Sequence, residues 1–110
     1  MKSKLKIDKY GNKFWRLNGE LHRVDGPAIE YADGDKSWYL NGKRHREDGP
    51  AIEYSYGTKV WYLNDKRHRE DGPAIEYSNG NKSWYLNGVY LTYREWYNQT
   101  MFDEVRINEI

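Results

Sequence analysis

A 23-residue unit recurs through this chain, and that period governs what it can fold into. Trp15, Trp38, Trp61 and Trp84 stand 23 residues apart, as do His22, His45 and His68. Asp-Gly-Pro begins at Asp25, Asp48 and Asp71, and KRHREDGPAIEYS stands unchanged at 43–55 and 66–78. A unit this short cannot bury its own apolar face, so neighbours must stack into a continuous array.

Each unit carries its strand and turn signals in the same order. In residues 46–68, Asp48-Gly49 signals a turn, and Pro50 lets a strand begin without an N–H donor. Residues 51–54 (AIEY) predict a short strand, Ser55-Tyr56-Gly57 a hairpin loop, and residues 59–63 (KVWYL) a second strand. Asn64-Asp65 ends that strand. Its sister pairs Asn18-Gly19, Asn41-Gly42 and Asn87-Gly88 are the strongest short hairpin signal. Residues 66–68 lead onward as a turn or short third strand. Period-two alternation separates Trp61 and Leu63 from Val60 and Tyr62. We expect Trp61 and Leu63 to join Ile52 and Tyr54 in one buried ladder along the array.

The two ends depart from the unit. Thr92 with Glu95 forms a capping box, and Tyr93, Trp96, Tyr97, Met101 and Phe102 give an apolar helical stripe to about residue 103. This helix is expected to fold back through Trp96 and Tyr97 over the last sheet edge. Residues 1–14 lack the DGPAIEY segment and predict an irregular cap. The expected fold is all-β: an elongated antiparallel array of stacked β-hairpins with a C-terminal α-helical cap. Residues 1–14 form the N-terminal cap, 15–91 the repeats and 92–110 the helical cap.

Composition narrows the function. Charged residues make up 32% of the chain, yet 11 Tyr and 5 Trp argue against disorder and place burial on rings. The absence of Cys removes disulfides, thiolate catalysis and Cys-based zinc sites. The basic N-terminus has no apolar h-region and no run reaches membrane-span length, so a cytoplasmic location is expected, the host cytoplasm if the protein is viral. Residues 1–22 carry six Lys/Arg and two Asp/Glu, whereas residues 69–110 carry four and seven. The units between are neutral, so the chain lacks the broad basic field that phosphate binding needs.

Candidate sites follow from the same period. Two strands per unit separate successive histidines by roughly 10 Å, too far for two to share one zinc ion. They are read as satisfying turns. Arg23, Arg46 and Arg69 form a stripe, as do Glu30, Glu53 and Glu76, and cross-strand pairing accounts for both. The functional alternative is a basic-aromatic face of Lys36, Tyr39, Arg46, Lys59, Tyr62, Arg69, Lys82 and Tyr85, holding a nucleotide or a nucleic-acid strand by stacking plus charge. No nucleophile elbow and no Walker or Rossmann glycine pattern is present, so neither catalysis nor a cofactor or metal is expected.

Asn41-Gly42-Lys43-Arg44-His45, followed by a short strand, an Asx-Gly turn and an aromatic strand, resembles the MORN repeat across roughly residues 10–88. Arg46 and Arg69 replace the Gly that usually follows the His, and Lys-Ser-Trp-Tyr replaces the usual Tyr-Glu-Gly. The pattern HREDGPA…WYLNG is more similar to a MORN-like variant found in bacterial and phage proteins. The resemblance implies stacked hairpins and roles in scaffolding, self-association or membrane-surface attachment. The phosphoinositide binding claimed for some MORN proteins is not carried over, because the departures fall inside the motif. The expected function is a non-catalytic protein-binding module, an inhibitor or adaptor acting on a host protein. The alternatives are a nucleotide or nucleic-acid sink and a homo-oligomeric scaffold. A monomer is expected, or a weak dimer through an N-terminal edge guarded by Lys2, Lys4, Lys6 and Lys9.

Overall fold

The computed structural model describes the backbone of residues 2–108 and the side chains of residues 2–101. The first unit supplies β1 (Lys4–Ile7), β2 (Lys13–Leu17) and β3 (Glu20–Leu21). The second supplies β4 (Ile29–Glu30), β5 (Lys36–Ser37), β6 (Tyr39–Leu40) and β7 (Lys43–Arg44). The third repeats that set as β8 (Ile52–Glu53), β9 (Lys59–Val60), β10 (Tyr62–Leu63) and β11 (Lys66–Arg67). The fourth ends the array with β12 (Ile75–Glu76), β13 (Lys82–Leu86), β14 (Val89–Leu91) and the helix α1 (Tyr93–Asn108). The main sheet runs β1-β2-β4-β5-β8-β9-β12-β13-β14, antiparallel throughout. The molecule measures 59 × 34 × 19 Å, a thin slab. The all-β hairpin array with a helical cap is therefore the fold.

Each long strand changes partners at its tryptophan. Trp38 N–H donates to the Ala51 carbonyl at 2.7 Å, while the Trp38 carbonyl accepts from His45 N–H at 3.1 Å. Before Trp38 the strand pairs within the main sheet; after it, the strand pairs with β7 across the Asn41-Gly42 turn. These inner hairpins are also joined to one another, as Arg46 N–H donates to the Tyr62 carbonyl at 3.1 Å and Asp65 N–H to the Arg44 carbonyl at 2.8 Å. Asn41 (φ 51°) and Gly42 (φ 78°) both adopt the left-handed conformation of the tight turn that suits strand twist.

The outer loop decides which side chains share a face. Gly57 (φ 108°) closes Ser55-Tyr56-Gly57 as a three-residue loop, with Tyr54 N–H donating to the Thr58 carbonyl at 3.0 Å. That register sets Ile52 opposite Val60 and Glu53 opposite Lys59. Ile52, Val60 and Ile75 are buried together, with Tyr54, Tyr62 and Tyr85 packed against them. The expected ladder of Trp61 and Leu63 with Ile52 and Tyr54 is thus corrected. Ile52 and Tyr54 share their face with Val60 and Tyr62, and Trp61 lies on the opposite face. A one-residue difference in register moves every side chain to the other side of a strand.

The tryptophan face has its own construction. Arg46 lays its guanidinium over Trp38 at 3.9 Å from the ring centroid. Its Nε donates to Asp48 at 3.1 Å, and its Nη1 donates to the Pro50 carbonyl and to Glu53, both at 3.0 Å. Gly49 closes the other side, where an added Cβ would lie 2.9 Å from the guanidinium carbon. Arg23 repeats this clasp over Trp15, and Arg69 over Trp61. The invariant letters of the unit are explained together: Trp as floor, Arg as plug, Asp and Glu as partners, Gly as the gap.

Histidines tie each unit to the next. His22 Nδ1 accepts from Asn41 N–H at 2.9 Å, His45 from Asn64 at 3.0 Å and His68 from Asn87 at 2.9 Å. A second row of ties runs along the outer loops. Asn12 accepts from Ala32 N–H, Asp35 from Ser55 N–H and the Thr58 hydroxyl from Ser78 N–H.

The N-terminal cap from Lys2 onward is more regular than the sequence suggests. β1 pairs with β2 and places Lys6 opposite Phe14, where later units put an isoleucine. Among the described residues its outer edge has no partner strand, and all four residues are exposed. At the other end the capping box forms, with Thr92 N–H donating to Glu95 at 2.9 Å and Glu95 N–H to the Thr92 hydroxyl at 3.1 Å. The hydrogen bonds from Thr92 hold the Glu95 carboxyl below its ordinary value. The helix continues to Asn108, past the expected end near residue 103. Thr92 occupies the position that would carry the next clasp arginine, so Trp84 has none. Tyr93 covers it at 5.1 Å between ring centroids and Trp96 at 6.3 Å. Trp96 is buried and its indole N–H donates to the Arg69 carbonyl at 2.8 Å. Tyr97, expected to pack beside it, is 41% exposed, and Tyr93 takes its place. Phe102 lies outside the described side chains.

Two predictions follow from these contacts. Gly72→Ala drives a Cβ to 2.7 Å from the pinned Arg69 guanidinium and is expected to destabilise by about 1–3 kcal/mol in urea unfolding. Arg69→Ala in the same chain should recover part of that loss, and strictly additive effects would contradict the clasp. Removing residues 92–110 uncovers Trp84 and should cause concentration-dependent association in light scattering. A truncated chain that stays folded and monomeric would contradict the capping role.

Candidate binding face

The two faces of the sheet handle charge differently. On the tryptophan face, cross-strand register aligns Lys13, Glu30, Lys36, Glu53, Lys59, Glu76 and Lys82 in an alternating ladder. Arg23, Arg46 and Arg69 join it through 2.7–3.1 Å pairs to Glu30, Glu53 and Glu76. Every Lys or Glu in the ladder therefore faces opposite charge. Grooves of about 860 and 640 Å³ open between successive Asp-Gly-Pro loops, but Arg46 and Arg69 cover the Trp38 and Trp61 rings lining them.

The tyrosine face carries guanidinium groups that are not bound to carboxylates, although the Asp65 carboxylate stands beside them and accepts from Arg44 N–H at 2.9 Å. Tyr39 pairs with Arg44 and Tyr62 with Arg67 across the Asn-Gly and Asn-Asp turns. The Arg44 guanidinium lies 5.7 Å from the Tyr39 ring centroid and 5.5 Å from that of Tyr62. Arg67 lies 5.9 Å from Tyr62 and 5.4 Å from Tyr85. Tyr90 continues the row, 5.5 Å from Tyr85. Arg16 over Phe14 begins it. The result is an alternating file of rings and guanidinium groups along the array. Among the described residues, Arg16, Arg44 and Arg67 enter no ion pair, and Arg44 Nε is buried without a hydrogen-bond partner. Tyr56, whose counterparts are Tyr10, Asp33 and Asn79, stacks on Tyr54 at 5.1 Å and is 64% exposed. Burial raises the pKa of the Tyr39 hydroxyl, partly opposed by Arg44, and burial also raises that of Tyr54. Both hydroxyls stay protonated at neutral pH and can donate.

The eight residues expected to form one basic-aromatic face are divided by the sheet. Tyr39, Tyr62 and Tyr85 lie together on one face. Lys36, Lys59, Lys82, Arg46 and Arg69 lie on the other, where the two arginines are committed to their clasps. The cations beside the tyrosines are instead Arg44 and Arg67, absent from the expected set. The Asn-Gly turn could have found them, because a two-residue loop places Tyr39 directly across from Arg44. Each histidine's Nδ1 lone pair is already engaged, and no group of three metal-ligating side chains gathers among the described residues. No helix among the described residues is long and apolar enough to cross a membrane.

Compared with known proteins, the chain matches no family model, no curated sequence and no solved structure.

The two arginine series should differ in what their removal does. Arg46→Ala leaves the Pro50 carbonyl and Glu53 without their donor and uncovers Trp38, and is expected to destabilise by about 1–3 kcal/mol. Arg67→Ala removes an exposed, unpaired group and should change stability by about 0.5 kcal/mol or less. Chemical denaturation of both variants checks this, and equal losses would contradict the division.

Proposed function

We propose that this protein is a non-catalytic binding module of MORN-like repeats that engages another protein through its tyrosine face, as an inhibitor or adaptor. The observation that carries the reading is the file of half-buried tyrosines interleaved with unpaired guanidinium groups. Tyr and Arg dominate the energetic centres of protein interfaces, because each combines a large apolar area with directional donors. Here both are held on paired strands rather than on loops, so little side-chain order has to be gained on binding. The opposite face, with its charges matched internally, offers a partner less.

The nucleotide or nucleic-acid alternative draws on the same arginines. Base stacking needs open ring faces, however, and Arg44 and Arg67 lie over those of Tyr39, Tyr62 and Tyr85. The homo-oligomeric alternative draws on the open edge of β1, which Lys4 and Lys6 guard.

The test is a photo-crosslinking amino acid at Tyr90 on the tyrosine face or at Lys82 on the other, introduced in the native cell. A discrete protein adduct from position 90, absent from position 82 and lost with Arg44→Ala and Arg67→Ala, is expected. Adducts from position 82 alone, or adducts to nucleic acid, would contradict the reading.

A further inference from the structure

The tyrosine face has a spacing as well as a chemistry. Tyr39, Tyr62 and Tyr85 occupy the same position in successive units, and each unit adds two strands to the main sheet. At about 4.8 Å per strand, equivalent residues recur roughly every 9.6 Å along the array. A polyproline II helix completes one turn in about three residues of 3.1 Å rise, or roughly 9.3 Å. A segment in that conformation, laid along the array and across the strands, therefore presents the same face to each successive Tyr–Arg step. An extended β-strand has a two-residue period of about 6.6 Å and falls out of step.

The hydrogen-bonding character of the face points the same way. Arg44 and Arg67 can only donate, and the tyrosine hydroxyls are available to donate. A proline-rich segment has few N–H groups and a fully solvated row of carbonyls, so it is mainly an acceptor. Its flat pyrrolidine rings fit against the edges of half-exposed aromatic rings, and its pre-set backbone loses little entropy on docking. Charge supplies the third element. Arg16, Arg44 and Arg67 enter no ion pair among the described residues, and three guanidinium charges outnumber the neighbouring Asp65 carboxylate, which accepts from Arg44 N–H, so an acidic segment is matched and a basic one is repelled.

We propose that the tyrosine face is a docking track for an acidic, proline-rich segment in the polyproline II conformation, with a carboxylate at every third residue. The proposal rests on the protein-binding reading and gives the partner's chemistry. Carboxylates recurring at the period of the units would meet Arg44 and Arg67 in turn, while the intervening prolines lie against the exposed edges of Tyr39, Tyr62 and Tyr85. Tyr54 and Tyr56 widen the aromatic patch at the middle of the track.

Calorimetry and fluorescence anisotropy with end-capped synthetic peptides test this on the full chain. The probes are four tandem copies of Pro-Pro-Glu, of Pro-Pro-Lys and of Gly-Ser-Glu, with an oligothymidylate of equal length. The Pro-Pro-Glu peptide should bind at least about tenfold more tightly than either other peptide and more tightly than the oligothymidylate. Arg44→Gln with Arg67→Gln should weaken it by about tenfold or more, whereas Lys59→Gln with Lys82→Gln on the opposite face should leave it within about twofold. Circular dichroism confirms that each variant is folded. Equal affinity for Pro-Pro-Glu and Gly-Ser-Glu would overturn the conformational part, reducing the track to a charge patch. Tighter binding of the oligothymidylate, or no binding of Pro-Pro-Glu at millimolar concentration, would overturn the proposal outright. If crosslinks from Tyr90 to a protein persist in that last case, the protein-binding reading stands and only the chemistry of the segment fails.

Discussion

The rest of this structure depends on a guanidinium held between a tryptophan ring and a glycine. A one-layer sheet has no second layer to cover its outer face, so each unit must cover that face itself. Arg23, Arg46 and Arg69 do so over Trp15, Trp38 and Trp61. The same guanidinium fastens the Asp-Gly-Pro loop to the strand that follows, through one carbonyl and two carboxylates. Removing any one component leaves a partly buried partner unsatisfied, which is the expensive way to lose a hydrogen bond. The unit repeats as a block because its parts work only together.

Coupling between units is carried by a different set of groups. The His Nδ1 to Asn N–H bonds run along the inner turns, and the Asn12, Asp35 and Thr58 acceptors run along the outer loops. These ties cross the unit boundary at both margins of the sheet, while the Ile–Val–Tyr cluster crosses it at the centre. Stability of such an array rests on nearest-neighbour terms, so the ends are the weak places. The C-terminal end answers this with Tyr93 and Trp96, whose rings stand where the next arginine would stand. The N-terminal end has only β1 and its lysines.

Much of this was legible in the sequence. The period gave the number of hairpins, Asn-Gly gave the inner turns, and Thr92 with Glu95 gave the helix start. These are local signals whose meaning does not depend on distant partners. The assignment of faces was not legible, because Ile52 faces Val60 only through the register that the Ser55-Tyr56-Gly57 loop imposes. Trp61 attracts an expectation of burial by size, yet a charged group, not an apolar one, covers it. The candidate site turns on the same register. Lys36 and Tyr39 are three residues apart on one strand, and an odd separation divides them between faces. Arg44 and Arg67 were hidden in a segment read mainly as a connection, although the turn register places both beside tyrosines.

The central claim is that two arginine series, two residues apart at Arg44/Arg46 and at Arg67/Arg69, do opposite jobs. One is locked into the fold and the other is left for a partner. Hydrogen exchange of arginine Nε–H groups, followed by nitrogen-15 NMR at mildly acidic pH, tests this directly. Arg23, Arg46 and Arg69 should exchange slowly, since each Nε–H is engaged by an aspartate within 3.0–3.1 Å beneath a covering glycine. Exposed Arg67 should exchange at close to the free-solvent rate. Arg69 exchanging as fast as Arg67 would contradict the account.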